Sequence, residues 1–276
     1  MLVFWIILSV VAGLLLLFAL LYLLWMVRPC GKKPADDALL CDYAHRGLHG
    51  EEIPENSLAA FEAACKAGVG IELDVQLSRD GVVMVFHDYT LIRMTGCDKK
   101  LCELSADELG KLSLGGTDQT IPTFDAVLRL VNGRVPILVE LKGENFDTSL
   151  CPKVAEHLKR YKGAYCLESF NPLLIRAMKK ELPNAYRGLL YTNVCRDKKK
   201  KSALNIALTC MALNGLSSPN FIAYNQADRN GFAVKLATKF YRAPRFVWTV
   251  RSDADLEQAH ALGEYPIFEN VSKLKG

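Results

Sequence analysis

The hydrophobic pattern divides the chain into two unlike parts. Residues 2–27 are almost wholly apolar, and the first 27 residues carry no charged side chain. As a helix this run would span about 39 Å, more than the roughly 30 Å of a bilayer core. Trp5 lies near one end and Tyr22 and Trp25 near the other, where aromatic belts sit. A cleaved signal would have a basic start, a shorter apolar core and a small-residue cleavage site, none of which is present. The pattern predicts an uncleaved transmembrane helix over 1–28, a juxtamembrane linker over 29–37 and one domain over 38–276.

Beyond Pro34, short β-rich runs alternate with helical stretches. Strands are expected at 41–45, 70–75, 136–141, 164–169, 186–191, 221–225, 245–250 and 265–269, with helical patterns such as "SLAAFEAACKAG" between them. Alternation of this kind implies a parallel sheet, and eight units in this length predict a closed (β/α)8 barrel rather than an open doubly wound sheet. The run "VVMVF" at 82–86 follows its neighbour across a tight turn, so it must be an antiparallel addition. The long segment at about 89–134 reads as a small insertion over one barrel end.

Charge and cysteine content narrow the picture only a little. A formal net charge of +4, partly from Arg28, Lys32, Lys33 and "RDKKKK" at 196–201, is too small and too local for nucleic-acid binding. The lysine run reads as a solvated loop or helix start, with anionic lipid as the other reading. Basic residues flank the apolar helix only on its C-terminal side, which places the domain in the cytoplasm by the positive-inside rule. Nine cysteines in an odd, irregular set argue against a disulfide framework.

The chemistry concentrates in "IELDVQLSRDGVVMVFHD" at 71–88, where Glu72 and Asp74 share one strand face. Asp80-Gly81 reads as a two-residue hairpin turn. Pairing Arg79 with Val82 then sets Asp74 opposite His87. In (β/α)8 barrels the reactive groups sit at the C-terminal strand ends. Those ends carry His45-Arg46, Glu72 and Asp74, Glu140 and Lys142, Glu168, Asn225, Trp248 and Glu269. Three clustered acids, Glu72, Asp74 and Glu140, would repel one another unless a divalent cation joins them, and all-oxygen ligation points to Mg²⁺ or Ca²⁺. His45 and His87 read as an acid–base pair, with Arg46 and Lys142 attracting an anionic substrate such as a phosphodiester. His49, His157 and His260 lack such company and read as surface or structural residues.

The stretch from "AHRGLHG" through "PENSLAAFEAACKAGVGIELDVQLSRDGVVMVFHDYTLIRMTG", followed by "VELKG" and "ESFNPLLIRAMKKELP", closely resembles the signature of the glycerophosphodiester phosphodiesterase family. The resemblance implies a (β/α)8 barrel, one divalent metal and hydrolysis of glycerophosphodiesters to glycerol 3-phosphate and an alcohol. It puts His45 and His87 on the catalytic histidines, Glu72, Asp74 and Glu140 on the metal ligands, and Arg46 and Lys142 on phosphate-binding positions. Glu55 and Asn56 match the family's Glu-Asn pair, and Phe170 and Trp248 are similar to its substrate-lining aromatics, so the resemblance puts all four among the substrate-binding residues. The chain departs from the pattern at Ser57, where Thr is usual, at Arg251, where Asn is frequent, and at Phe268-Glu269-Asn270, where a Thr-Asp pair is common. The expected activity is therefore a membrane-anchored phosphodiesterase acting on a small or lipid-derived diester. The alternatives are lysophospholipase D-like cleavage of membrane lipids and a non-catalytic tethered binding module, against which the intact acids and histidines argue.

Overall fold

Eight parallel strands close into a ring because the shortest of them, β1 (Tyr43–Ala44), pairs on both sides, with β2 (Gly70–Leu77) and β9 (Tyr265–Phe268). The structure is a computed structural model that describes residues 1–143 and 145–272. Between β2 and β9 the ring runs through β4 (Ile137–Leu141), β5 (Tyr165–Ser169), β6 (Tyr186–Tyr191), β7 (Phe221–Asn225) and β8 (Arg245–Val250), each parallel to its neighbours. The expected barrel and its eight strands are present. The first strand is shorter than the expected 41–45 at both ends; Arg46 turns the chain at φ +57° just beyond it, and the His45 amide still donates to the Phe268 carbonyl at 2.8 Å.

Alternation along each strand separates two cores. On β2, Ile71, Leu73 and Val75 face outward into the layer shared with the helices, which leaves Glu72, Asp74 and Gln76 inside the barrel. Toward the strand-entry end, Tyr43, Leu138, Cys166, Phe221 and Phe246 fill the interior, with Leu39 from the incoming chain packed against them. Gly188 makes room for this plug, since a Cβ there would lie 2.0 Å from the Phe221 ring. The interior is thus a packed apolar floor, and charged groups can stand only above it, at the mouth where the strands exit.

Helices start and stop where short-range signals dictate. For Leu58–Ala67, the Ser57 hydroxyl accepts from the Ala60 amide at 3.1 Å and Gly68 closes the helix at φ +70°. For Pro172–Glu181, Asn171 caps the Leu173 amide and proline occupies the first turn. Within the stretch expected as an insertion, Phe124–Val131 packs into the barrel's outer core through Phe124, Val127, Leu128 and Val131. A separate small core of Met84, Phe86, Leu91, Leu101, Leu109 and Ile121 holds the residues before it.

The hairpin register differs from the expected one. β3 (Val83–Val85) pairs with β2 as Val75 with Val85, Gln76 with Met84 and Leu77 with Val83, so Asp74 faces Phe86 rather than His87. The loop has three residues, Arg79, Asp80 and Gly81, because the Ser78 hydroxyl accepts from the Val82 amide at 2.9 Å and donates to Asp80 at 2.6 Å. Gly81, at φ +76°, takes the left-handed position that such a loop needs.

At the N-terminus, Leu2–Leu21 is an α-helix with no buried residue, followed by a π-helical turn over Tyr22–Met26. By length and composition, Leu2–Met26 qualifies to cross a membrane.

Candidate active site

The parallel register places Asp74 beside Glu140 and Glu140 beside Glu168, on three adjacent strands. Glu72, two residues before Asp74 on the same inner face, completes a cluster of four buried acids. Carboxylate oxygens of Glu72, Asp74 and Glu140 all lie within 4.8 Å of one another. Lys142 Nζ reaches Asp74 Oδ1 at 3.0 Å and Glu140 Oε1 at 2.8 Å, while Arg46 Nε lies 3.6 Å from Asp74 and its backbone amide donates to Glu72 at 2.9 Å.

The electrostatics of this cluster are unbalanced. Burial, with Asp74 and Glu140 nearby, pushes the Glu72 carboxyl well up, and burial pushes Glu140 up to about 7 against the pull of Lys142. Burial would also raise Asp74, but Lys142, His87 and Arg46 override it and hold Asp74 well below the usual carboxylate range. Glu168 is raised by burial and by Glu72, Glu140 and Asp74, and its Oε2 has no hydrogen-bond partner among the described residues. Among the described residues, four acids of this cluster face two cations, Lys142 and Arg46. A hard divalent cation fits such an oxygen-only, charge-deficient set.

Each catalytic-candidate histidine has its Nδ1 tied to a carboxylate. His45 Nδ1 lies 2.8 Å from Glu269 Oε2, and His87 Nδ1 lies 2.6 Å from Asp88 Oδ1. Carboxylates accept, so Nδ1 carries the proton and Nε2 is left for chemistry. Burial lowers both imidazoles below their ordinary value, with Glu269 opposing this at His45 and Asp74 opposing it at His87. Glu269 itself is held down to about 2, chiefly by its bond to His45 and also by Arg251. His87 stands past the end of β3, where the Gln76 side-chain amide reaches the carbonyls of Phe86, His87 and Asp88 at 2.9, 3.1 and 2.9 Å.

Two adjoining cavities open at the mouth. One, of about 460 Å³, is lined by His87, Glu140, Lys142, Phe170 and Asn171 among others. The other, of about 190 Å³, brings His45, Arg46, Glu72 and Glu168 to the same His87, Glu140 and Lys142. Phe170 and Trp248 meet edge to face there, with ring centroids 5.5 Å apart. Glu55 and Asn56 do not line either cavity. Glu55 braces Arg46 at 2.8 Å and Arg93 at 2.6 Å, and Asn56 donates to Asp74 at 2.9 Å, so both stand behind the site.

Several residues of the site had no role in the sequence reading. Gln76 and Glu168 fall on inner strand faces, a signal available in the alternation. His49 comes to 3.9 Å from Glu269, and Arg251, just past the end of β8, bonds Glu269. His157 lies 3.8 Å from Asp125, and the exposed His260 pairs with Asp42 at 2.9 Å, both away from the cavities.

Comparison with known proteins converges on one family. The sequence model of the glycerophosphoryl diester phosphodiesterase family matches residues 45–272. A glycerophosphodiester phosphodiesterase of Caldanaerobacter subterraneus is 34% identical over 159 residues, covering 54% of this chain and 65% of the relative. Glycerophosphodiester phosphodiesterase 1 of Bos taurus is 30% identical over 159 residues, covering 54% of this chain and 48% of the relative. The matched region therefore spans between about half and just under two thirds of these relatives. Among solved structures, an Oleispira antarctica phosphodiesterase in complex with the product sn-glycerol-3-phosphate superposes with a TM-score of 0.69 at 23% identity, covering 83% of this chain and 92% of the other. A glycerophosphodiester phosphodiesterase from Thermotoga maritima gives a TM-score of 0.63 at 24% identity, covering 85% and 96%. At that identity the two structures speak for the barrel fold alone.

Proposed function

The chain belongs to the glycerophosphoryl diester phosphodiesterase family, and from that premise we propose that it hydrolyses glycerophosphodiesters to glycerol 3-phosphate and an alcohol. The observation that carries this reading is that the Glu72, Asp74 and Glu140 carboxylates cluster together where Glu72 and Glu140 line one cavity with two carboxylate-backed histidines. In this reading Glu72, Asp74 and Glu140 hold one divalent cation, Mg²⁺ or Ca²⁺. Such an ion, when bound, neutralises phosphate charge and lowers the pKa of the attacking hydroxyl.

The protein's own groups supply the rest. Arg46 and Lys142 draw the phosphate to the floor of the mouth and offset charge that grows in the transition state. One of His45 and His87 accepts the proton of the attacking hydroxyl at Nε2, and the other delivers a proton to the departing alcohol. Glu269 and Asp88 hold the two Nδ1 protons and stabilise the imidazolium form, which the acid brings into the step and the base reaches in it. Phe170 and Trp248 offer an apolar wall to the alcohol side of the diester. Asn56 orients Asp74, and Glu55 holds Arg46 in place.

The apolar segment favours a membrane-bound enzyme, and we read Leu2–Met26 as its anchor with the barrel on the cytoplasmic side, where Arg28, Lys32 and Lys33 lie. The same segment supports a second substrate reading, lysophospholipase D-like cleavage of lipid diesters. Product chromatography after incubation with a lysophospholipid and with its deacylated counterpart separates the two. Release of glycerol 3-phosphate from the deacylated diester supports the first reading; release of a phosphorylated lipid alone supports the second.

A further inference from the structure

The N-terminal segment is fastened along the side of the barrel in an ordered series of contacts. The Cys30 amide donates to the Pro219 carbonyl at 2.7 Å, just before β7 begins at the strand-entry end. Next, Asn214 Nδ2 donates to the Val27 carbonyl at 2.7 Å, and Trp25 packs on Gly215, where a Cβ would fall 2.5–2.7 Å from Trp25 atoms. Tyr22 then donates to the Cys210 carbonyl at 2.9 Å. Cys210 follows Thr209, whose hydroxyl accepts from the Cys195 amide at 3.1 Å and whose carbonyl accepts from Tyr191 at 2.9 Å. Tyr191 ends β6, so Thr209 stands at the level of the mouth. Going back from Cys30 to Tyr22, the chain climbs from the entry end of the barrel to its mouth, and the helix continues past it.

The lengths agree with this orientation. With Tyr22–Met26 held on the barrel, Leu2–Leu21 remains, 20 residues with none buried. Such a helix is about 30 Å long, the thickness of a bilayer core, so no stalk separates membrane from mouth. Of the nine large exposed apolar side chains described beyond the helix, Phe146, Phe170, Leu204, Ile206 and Phe232 lie on segments that leave the strand exits and Tyr89 lines the mouth cavity, whereas Phe240 and Leu262 lie on segments that lead into β8 and β9. Among those around the mouth, Phe146 is 87%, Phe232 73% and Leu204 61% exposed. Exposed Lys198, Lys199, Lys200 and Lys201 precede Leu204 and supply charge complementary to anionic headgroups.

We propose that the mouth of the barrel is held against the bilayer, with the rim at 198–206 and 231–233 seated among anionic lipid headgroups. Substrate then enters from the membrane surface. The proposal rests on the anchor reading of the helix and not on the assignment of the catalytic groups.

Site-specific photo-crosslinking in the full chain tests it. The photoreactive residue p-benzoylphenylalanine is placed, one position at a time, at Leu14, Leu204, Phe232 or Lys162, the last being exposed at the strand-entry end. Each protein is reconstituted in nanodiscs containing anionic phospholipid, irradiated and analysed by mass spectrometry for lipid adducts. The proposal expects adducts at 14, 204 and 232, several-fold above those at 162. Adducts at 14 with none at 204 and 232, or more at 162 than at either, would overturn the orientation while leaving the anchor intact. An absence of adducts at 14 would overturn the anchor and the proposal with it.

Discussion

His45 and Glu269 are joined at 2.8 Å, and the same carboxylate is held from its other oxygen by Arg251. Arg251 and Glu269 are two of the positions where the chain departs from the family pattern, and they meet on one histidine. Glu269 raises the His45 pKa against the effect of burial. Replacing Glu269 by Gln removes that support, so the limb of the pH–rate profile governed by His45 moves to lower pH. Arg251→Ala frees Glu269 from a competing cation and moves the same limb to higher pH. Profiles of kcat/KM against pH for the two variants check the opposite signs; a shift in one direction for both contradicts the account.

Gln76 is predicted to be a positioning residue. Its amide is the tie between β2 and the carbonyls at 86–88, so Gln76→Leu lets His87 wander from the cavity. A displaced acid–base group forfeits about 10²–10⁴-fold in rate, and the lower end is expected here because Asp88 still orients the ring. The loss should appear in kcat with cation affinity unchanged, read by steady-state kinetics beside calorimetric titration. A loss confined to cation affinity contradicts the assignment.

Gly81→Ala should lower stability without touching chemistry. An alanine at φ +76° costs about 1 kcal/mol, which for a chain of this size lowers Tm by roughly 2–4 °C. Differential scanning calorimetry measures it, and an unchanged Tm shows that the three-residue loop is misread.

Histidine roles separate by leaving group. His45→Ala and His87→Ala each lose about 10²–10⁴-fold on an alkyl diester. A p-nitrophenyl ester needs no protonation of its leaving group, so it rescues whichever variant lacks the general acid and leaves the other slow. Rescue of both, or of neither, contradicts a division of labour between them.

Much of the architecture could be read from local pattern. Runs such as 186–191, 221–225 and 245–250 match the observed strands at both ends, because buried parallel strands are continuous in apolar residues and bounded by turns. The acid trio was readable for a related reason: acids at alternate positions of an otherwise apolar strand must share the inner face. The hairpin register was not readable from Asp80-Gly81 alone, since the loop length depends on how the Ser78 hydroxyl is used. The resemblance puts Glu55 and Asn56 with the substrate, and it could not show the partners their side chains take, Arg46 and Asp74. The company of His45 was equally hidden, because Glu269 lies 224 positions away and meets it only through closure of the barrel between β1 and β9.

The central claim is cation-dependent cleavage of a glycerophosphodiester by the acid trio. Phosphorus NMR of the full chain with glycerophosphodiesters and added Mg²⁺ or Ca²⁺ follows the product directly. The account predicts a growing glycerol 3-phosphate signal that chelator abolishes. Glu72→Gln, Asp74→Asn and Glu140→Gln should each lose most of that signal, and the double variant Glu72→Gln with Asp74→Asn should be little worse than either single change, since ligands of one ion act as a unit. Glycerol 3-phosphate released at near-normal rates by the three single variants in the presence of chelator would contradict it.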